Sequence, residues 1–254
     1  LPFTIFYPKA VEDCVPSDSD SDIKLKILTS NVLMTNRSSN KLLDLIDEYK
    51  PDIVVTLESD KWWEEALESL HVHYPFRVPV PLDNLYGMHV YSRYKIVDPK
   101  VNFYIQSGVP SVECKIEVAD ATLVQCYFLH PAPPSPTENE YSKARDVELL
   151  LVADLVKPDE IPTIVTGDLN DVAWSPTTRA FRKKSRLKDP RVGRGFYNTF
   201  HADYKLARWP LDHIFHSADF KLSKLERLPS IDSDHFPLFS ELVLTPGIHT
   251  ENKV

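Results

Sequence analysis

The sequence predicts an α/β protein, and two observations carry the prediction. Short apolar runs of strand composition alternate with segments of helical periodicity, and most of the runs meet a polar residue at one end. Glycine is scarce (6) and proline abundant (21) in 254 residues, with the prolines falling between apolar runs, where a fixed φ stiffens loops. A hydrophobic content of 43% is enough for a substantial core, whether in one domain or two small ones. Because no internal repeat or second linker interrupts the pattern, one domain over 23–246 is expected, after an extended flexible linker over 1–22 and before a tail over 247–254.

The elements follow in order. The chain opens on LPFTIFYP without a Met and continues through VEDCVPSDSDSD, an acidic tract with linker composition, as in a segment of a longer precursor. Asp18, Asp20 and Asp22 imitate the start of a calcium loop, but the glycine and closing Glu that such a loop needs do not follow. IKLKILTSN has strand composition and stops at Asn31. SSNKLLDLIDEYKPD then sets Leu42, Leu45, Ile46 and Tyr49 at helical spacing between a Ser/Asn N-cap and the stop at Pro51. DIVVTLE is a buried-strand pattern ending at Glu58, so two oxygen ligands, Asn31 and Glu58, fall at the same ends of neighbouring strands.

GMHVYSRY supplies a further strand, and VECKIEV and TLVQCYF read as a hairpin turning at AD. That register sets Cys114 opposite Cys126 on the face of Val112 and Ile116, where buried free thiols are expected because directly opposed cysteines make strained disulfides. The second of these strands leads to His130. NEYSKARDVELLLVADLVK is a helix with Val147, Leu150, Leu151 and Leu155 on one face. IPTIVTGDLND is a strand that breaks at Gly167 into Asp168, Asn170 and Asp171, and WSPTTRAFRKKS starts a helix with Ser175 as N-cap and Pro176 first inside. PLDHIFHS and DHFPLFSELVL are strands preceded by Asp212 and by Asp234 with His235.

The balance of charge excludes some function classes. Lys plus Arg (29) against Asp plus Glu (37) gives −8, which argues against coating nucleic acid through overall charge but leaves room for a local basic groove. Three cysteines without CxxC spacing argue against metal binding through sulfur. No apolar stretch is long enough to span a bilayer, which needs roughly 18 residues.

Singly, each polar strand end has an ordinary explanation as a cap, turn or surface residue. Together, Asn31, Glu58, His130, Asp168 with Asn170, Asp212, and Asp234 with His235 form a set of oxygen donors and imidazoles. Oxygen donors suit a hard cation, Mg²⁺ with Mn²⁺ as the alternative, and the histidines suit a charged phosphate. The order of these residues, with the local wording GDLN, LDHIF and SDHFP, resembles the endonuclease/exonuclease/phosphatase superfamily over nearly the whole chain. The resemblance implies a four-layer α/β/β/α sandwich of two mixed β-sheets packed face to face.

It also implies metal-assisted hydrolysis of a phosphoester by in-line attack of water. Glu58 would be the main metal ligand, with Asn31 beside it and Asp234 completing the shell. Asp168 would orient and deprotonate the water, and Asn170 would hold it or a phosphoryl oxygen. His235, fixed and kept cationic by Asp212, and His130 would touch the phosphate. Asp60 is a candidate outer group and Asp232 a candidate influence on His235, whereas His213, His216 and Asp171 are expected to take no chemical part.

ILTSNVLMTNRSSNKLLDLIDEYKPDIVVTLE and GDLNDVAWSPTTRAFRKK are similar to a bacterial branch with N-terminal membrane helices. That implies a membrane anchor upstream of Leu1 and a catalytic domain outside the cytoplasm. No protein partner is indicated, and a monomer is expected. From Arg179 to Arg194, eight basic residues stand against the single acid Asp189, a local +7 flanked by Trp174, Phe181, Phe196 and Tyr197. Arg179, Arg182, Lys183 and Trp174 are the candidate substrate contacts on a positive rim. DNA or RNA is the first substrate class, followed by phospholipid or sphingomyelin head groups and by inositol phosphates acted on as monoesters. A domain that binds a phosphorylated ligand without turnover is the non-enzymatic reading.

Overall fold

The computed structural model describes residues 23–119, 122–133, 139–204 and 207–245, with the side chains of 139–143 excepted. The linker over 1–22 with Cys14 and its aspartates, Asp120 at the hairpin turn, and the tail over 247–254 lie outside the described residues.

The strands are β1 (Ile23–Asn31), β2 (Ile53–Leu57), β3 (Phe76–Val80), β4 (Met88–Ser92), β5 (Lys95–Asn102), β6 (Ser111–Glu117), β7 (Leu123–Leu129), β8 (Thr163–Asp168), β9 (Asp212–His216), β10 (Phe220–Arg227) and β11 (Leu238–Leu244). The helices are α1 (Ser39–Tyr49), α2 (Lys61–Ala66), α3 (Asn139–Leu155) and α4 (Pro176–Ser185). Six strands form one sheet in the order β10-β11-β1-β2-β4-β3, and five form a second in the order β5-β6-β7-β8-β9. Both sheets are mixed, because β1 and β2 run parallel, as do β7 and β8, while the other pairings are antiparallel.

Alternation along the strands makes the layers. Leu25, Ile27, Ile53 and Val55 of the first sheet share one buried cluster with Cys114, Ile116, Cys126, Phe128 and Ile164 of the second. The opposite-facing residues Leu28, Val54 and Tyr91 pack under Leu42, Leu45 and Ile46 of α1 and Trp63 of α2. Tyr127, Leu129, Val165 and Phe215 pack under Leu149, Val152 and Ala153 of α3 and Phe181 of α4. The result is the four-layer sandwich. Cys114 and Cys126 are register partners, buried and free, as the hairpin reading required.

The face of α3 differs from expectation. Val147 and Leu155 are exposed at 51% and 40%, and the buried positions are Glu148, Leu149, Val152, Ala153 and Val156. VELLLVADLV is apolar nearly all round, so periodicity fits two phases equally well. Tertiary contacts choose between them: Leu149 and Val152 pack on the sheet, and Glu148 accepts a hydrogen bond from Ser111 Oγ at 2.6 Å. Among the described residues no helix is long and apolar enough to cross a membrane.

Candidate active site

Strand direction brings the polar ends together. Parallel pairing sets Asn31 of β1 opposite Leu57, the residue before Glu58, and Leu129, the residue before His130, opposite Gly167, the residue before Asp168. Antiparallel β9 pairs Asp212 with Asp168. The loop before β11 returns to the same edge, where Ser233 Oγ donates to the Asn31 carbonyl (2.8 Å) and accepts from His235 N (3.1 Å).

Asn31 Nδ2 donates to Glu58 Oε1 (2.8 Å) and to Asp168 Oδ2 (3.2 Å), joining the two carboxylates, while its Oδ1 accepts from Leu33 N (3.1 Å). His235 Nδ1 donates to Asp212 Oδ2 (2.7 Å), and its Nε2 lies 3.5 Å from Asp168 Oδ2. His130 Nε2 lies 3.8 Å from the same oxygen. Asp168 is therefore the centre on which Asn31, His130 and His235 converge. Asn170 N donates to Asp168 Oδ1 (2.9 Å), and its side-chain Nδ2 donates to the Pro131 carbonyl (3.0 Å), so Asn170 ties the loop after His130 to the catalytic strand.

Burial and mutual charge shift these groups. Burial pushes Glu58 up to about 7; Asn31 opposes the shift and the charges of Asp168 and Asp234 add to it. For His235, burial favours the neutral ring, but the charges of Asp212 and Asp168 and the Asp212 hydrogen bond prevail and raise it to about 10, a standing cation. Burial raises Asp168, against the lowering influence of His235. Burial lowers His130, which stays neutral and keeps one N–H to give.

The turn at Glu58 is built under constraint. Glu58 and Asn170 have left-handed backbones (φ 57 and 50), which cost on the order of 1 kcal/mol each for residues with a Cβ. Ser59 N donates to the Gly87 carbonyl (3.1 Å), and Ser59 Oγ pairs with His89 Nδ1 (2.6 Å). A Cβ on Gly87 would stand 2.0 Å from the Ser59 carbonyl oxygen, so only glycine fits against this turn.

The donor set fits a divalent cation. The charges of Asp168 and Asp234 both act on Glu58, and among the described residues no Lys or Arg ion-pairs with any of the three. Asp168, Asp212 and His235 also bring ligand atoms within 4.8 Å of one another. In this second group His235 hydrogen-bonds Asp212 and faces Asp168.

Other expectations need correction. Asp60 caps α2, accepting from Trp63 N (2.9 Å), and pairs with Arg37 (2.9 Å), so its carboxylate is committed away from Glu58. Asp232 is exposed and accepts from Ser38 Oγ (2.7 Å) and Lys41 Nζ (2.5 Å), and the charges that act on His235 are those of Asp212, Asp168 and Asp234. Asp171, expected to take no chemical part, accepts from Ser175 Oγ and Thr178 Oγ1 and anchors the start of α4.

Three of the eight basic residues of the stretch are paired within the fold. Lys184 and Arg186 pair with Asp154 and Asp159, which precede β8 and so lie at the end opposite Asp168. Arg191 is buried against Asp189 (2.9 Å), and its Nη2 donates to His213 Nδ1 (2.6 Å). His213 Nε2 donates to the Asp171 carbonyl (2.8 Å), and burial holds this ring neutral, with a pKa of about 3. Phe181 is core, and Trp174 packs edge-on against Phe196. Arg179 and Lys183 are exposed and Arg182 is half-buried.

Sequence reasoning missed Arg145, whose Nη1 donates to the Asn170 carbonyl (2.6 Å) and lies 3.6 Å from Asp171, and nothing in its charged surroundings marks it out. It also missed Tyr86, 5.4 Å ring to ring from His130, and Phe200, 4.8 Å from His235.

Fold and site together define a phosphoesterase of the α/β sandwich class. The chain belongs to the Endonuclease/Exonuclease/phosphatase family, whose model matches residues 28–235. Among solved structures, it is similar to D. rerio TDP2 complexed with single strand DNA product (17% identity, 88% of this chain and 99% of that one, TM-score 0.71). The human Nocturnin catalytic domain with bound sulfate matches at 17% identity over 87% and 95% of the two chains, with TM-score 0.69. A family protein from Bacteroides thetaiotaomicron matches at 21% identity over 88% and 99%, with TM-score 0.68. These likenesses show the fold. No curated protein matches the chain in sequence.

Proposed function

We propose that this protein is a divalent-metal-dependent phosphodiesterase acting on nucleic acid. The observation that carries the reading is the convergence of Asn31, His130 and His235 on one buried carboxylate, Asp168, with Glu58 held on the far side of Asn31. Glu58 and Asp234 would hold Mg²⁺ or Mn²⁺, with the Asn31 amide positioning Glu58, and the ion when bound supplies charge stabilisation for the phosphoryl oxygens and the leaving group.

The remaining chemistry belongs to side chains of this chain. Asp168, raised by burial, is the base that orients water and takes its proton. His235, kept cationic by Asp212, donates through Nε2 to a phosphoryl oxygen, and neutral His130 donates to a second. Asn170 keeps the catalytic loop in register. TDP2 in its complex with a single strand DNA product supports nucleic acid as the substrate class.

The test is hydrolysis of single-stranded DNA, RNA, sphingomyelin and inositol phosphates with Mg²⁺ and with chelator. Metal-dependent cleavage of a nucleic acid, lost in Glu58→Ala and His235→Ala, is expected. Wild-type hydrolysis by either variant would sink the site assignment. Preference for a lipid or an inositol phosphate would replace the substrate class, and binding without any turnover would favour a non-catalytic domain.

A further inference from the structure

Beside His235 lies a charged and aromatic flank that the catalytic roles leave unused. The ring of Phe236 carries two guanidinium groups, Arg208 at 4.8 Å and Arg227 at 4.4 Å from its centroid. Both arginines are held in place by backbone carbonyls. Arg208 donates to those of Tyr204 (2.6 Å) and Ala202 (3.0 Å), and Arg227 to that of Asn198 (2.9 Å). Among the described residues, neither has a carboxylate partner. Two like charges fixed around one ring repel each other, and an anion between them removes the repulsion.

Aromatic groups continue outward from the same point. Phe200 lies 4.8 Å from the His235 ring and 6.4 Å from Trp209, and His201 lies 4.7 Å from Tyr204. Trp209 and Tyr204 are exposed at 41% and 60%, large apolar surfaces next to that positive charge. Fixed arginines beside open aromatic faces are what a polyanion with its own ring systems requires. A phospholipid head group or an inositol phosphate brings the anion but no aromatic face, and a duplex brings bases whose faces are already stacked.

We propose that this flank is a subsite for an unpaired nucleotide of a single-stranded nucleic acid, in which Arg208 and Arg227 hold a phosphate neighbouring the scissile one and Trp209 stacks the base. The proposal rests on reading the adjacent site as a nucleic-acid phosphodiesterase. It also relocates the polyanion contact from α4 to the segments around Trp209 and Arg227.

The experiment is binding of a fluorescein-labelled oligothymidylate to the full chain, followed by anisotropy in chelator over a series of salt concentrations. Trp209→Ala is expected to weaken binding about tenfold with little change in salt dependence, because stacking is removed and charge is not. Arg208→Gln with Arg227→Gln is expected to weaken binding at least tenfold and to lower the salt slope by about 0.7 for each phosphate no longer neutralised. Arg208→Lys, which keeps the charge, is expected to retain most of the slope.

Variants that bind like wild type overturn the proposal, as does equal competition by a duplex of the same length. Loss of sedimentation with anionic phosphatidylglycerol vesicles in the arginine variants, with oligonucleotide binding unchanged, assigns the flank to lipid and overturns it too. Hydrolysis with Mg²⁺ separates the two readings. Oligonucleotide binding as expected with no cleavage of any phosphodiester removes the catalytic reading and keeps the subsite. Cleavage with unaffected binding by the variants removes the subsite and keeps the catalytic reading.

Discussion

Replacing Glu58 by Gln is expected to stabilise the metal-free protein while abolishing its activity. Burial, reinforced by Asp168 and Asp234, moves this carboxyl from 4.5 to about 7. A folded-state pKa above the unfolded one means that ionised Glu58 destabilises the fold above pH 7, and that the cost is relieved as pH falls from about 7 toward 4.5. At about 1.4 kcal/mol per pH unit, that interval corresponds to roughly 3 kcal/mol at pH 8. Gln keeps the hydrogen bond from Asn31 Nδ2, since its Oε1 accepts as the carboxylate did, so removal of charge is the main change. In chelator at pH 8 the variant should be the more stable by about 3 kcal/mol in urea unfolding, or roughly 6–12 °C in melting temperature for a domain of this size. The gap should close by pH 5. Excess Mg²⁺ should reverse the order, because wild type alone gains the full linkage to bound cation. A Gln variant no more stable than wild type at pH 8 in chelator, or a gap that widens as pH falls, would refute the reasoning.

Asp212→Asn removes the main charge opposing the burial of His235, so the ring should lose its proton at lower pH. In the pH–rate profile, activity that wild type holds toward pH 10 should fall near neutrality in the variant; an unmoved basic limb would count against His235 acting as the cation. Burial lowers His89 to about 4, so its stabilising neutral state is fully effective above 6.5 and is lost as pH falls toward 4. His89→Gln should flatten the stability slope in that window by about 1.4 kcal/mol per pH unit, and an unchanged slope would show that His89 titrates normally. Gly87→Ala drives a Cβ into the Ser59 carbonyl and should cut activity through the Glu58 turn at a cost of about 2 kcal/mol or more in urea. Wild-type kinetics in that variant would show the turn to be plastic.

The strands that carry the site are legible because both faces of each are buried, so they read as unbroken apolar runs with a polar residue at a clean end. β1 stops at Asn31, as expected, and β2 at Leu57, one residue before the expected end at Glu58. The strands that the pattern does not reveal, β3, β5 and β10, are edge strands of the two sheets. FRVPV, KIVDPKVN and FKLSKLER carry Pro or charge, the residues that protect an edge from further pairing and that make it resemble a loop. The proposed substrate contacts are hidden for a different reason. Charge density along the chain singles out Arg179 to Arg194, but folding neutralises Lys184, Arg186 and Arg191 with acids. Arg208 and Arg227, far apart in sequence, share one ring, and no local count of charge reveals a pair made by tertiary contact.

One edge of the sandwich gathers the buried acids and imidazoles of the site. The core beneath it is apolar and closely layered, and even its Thr29–Thr166 contact between sheets is a satisfied hydrogen bond at 2.9 Å. At the edge the charges of Asp168 and Asp234 bear on Glu58, and a buried Asp212 Oδ1 and a buried His130 Nδ1 have no hydrogen-bond partners. Beside them, Arg208 and Arg227 have no carboxylate partner among the described residues. The mutual repulsion of buried carboxylates and the unpartnered polar atoms cost free energy in the isolated chain, and a bound cation or phosphate of the proposed kind would offset them. The same edge collects the six strand ends that the sequence marks with Asn, Glu, His and Asp. Uncompensated charge and sequence pattern are independent observations, and their coincidence on one edge argues for a working site there better than any single residue does.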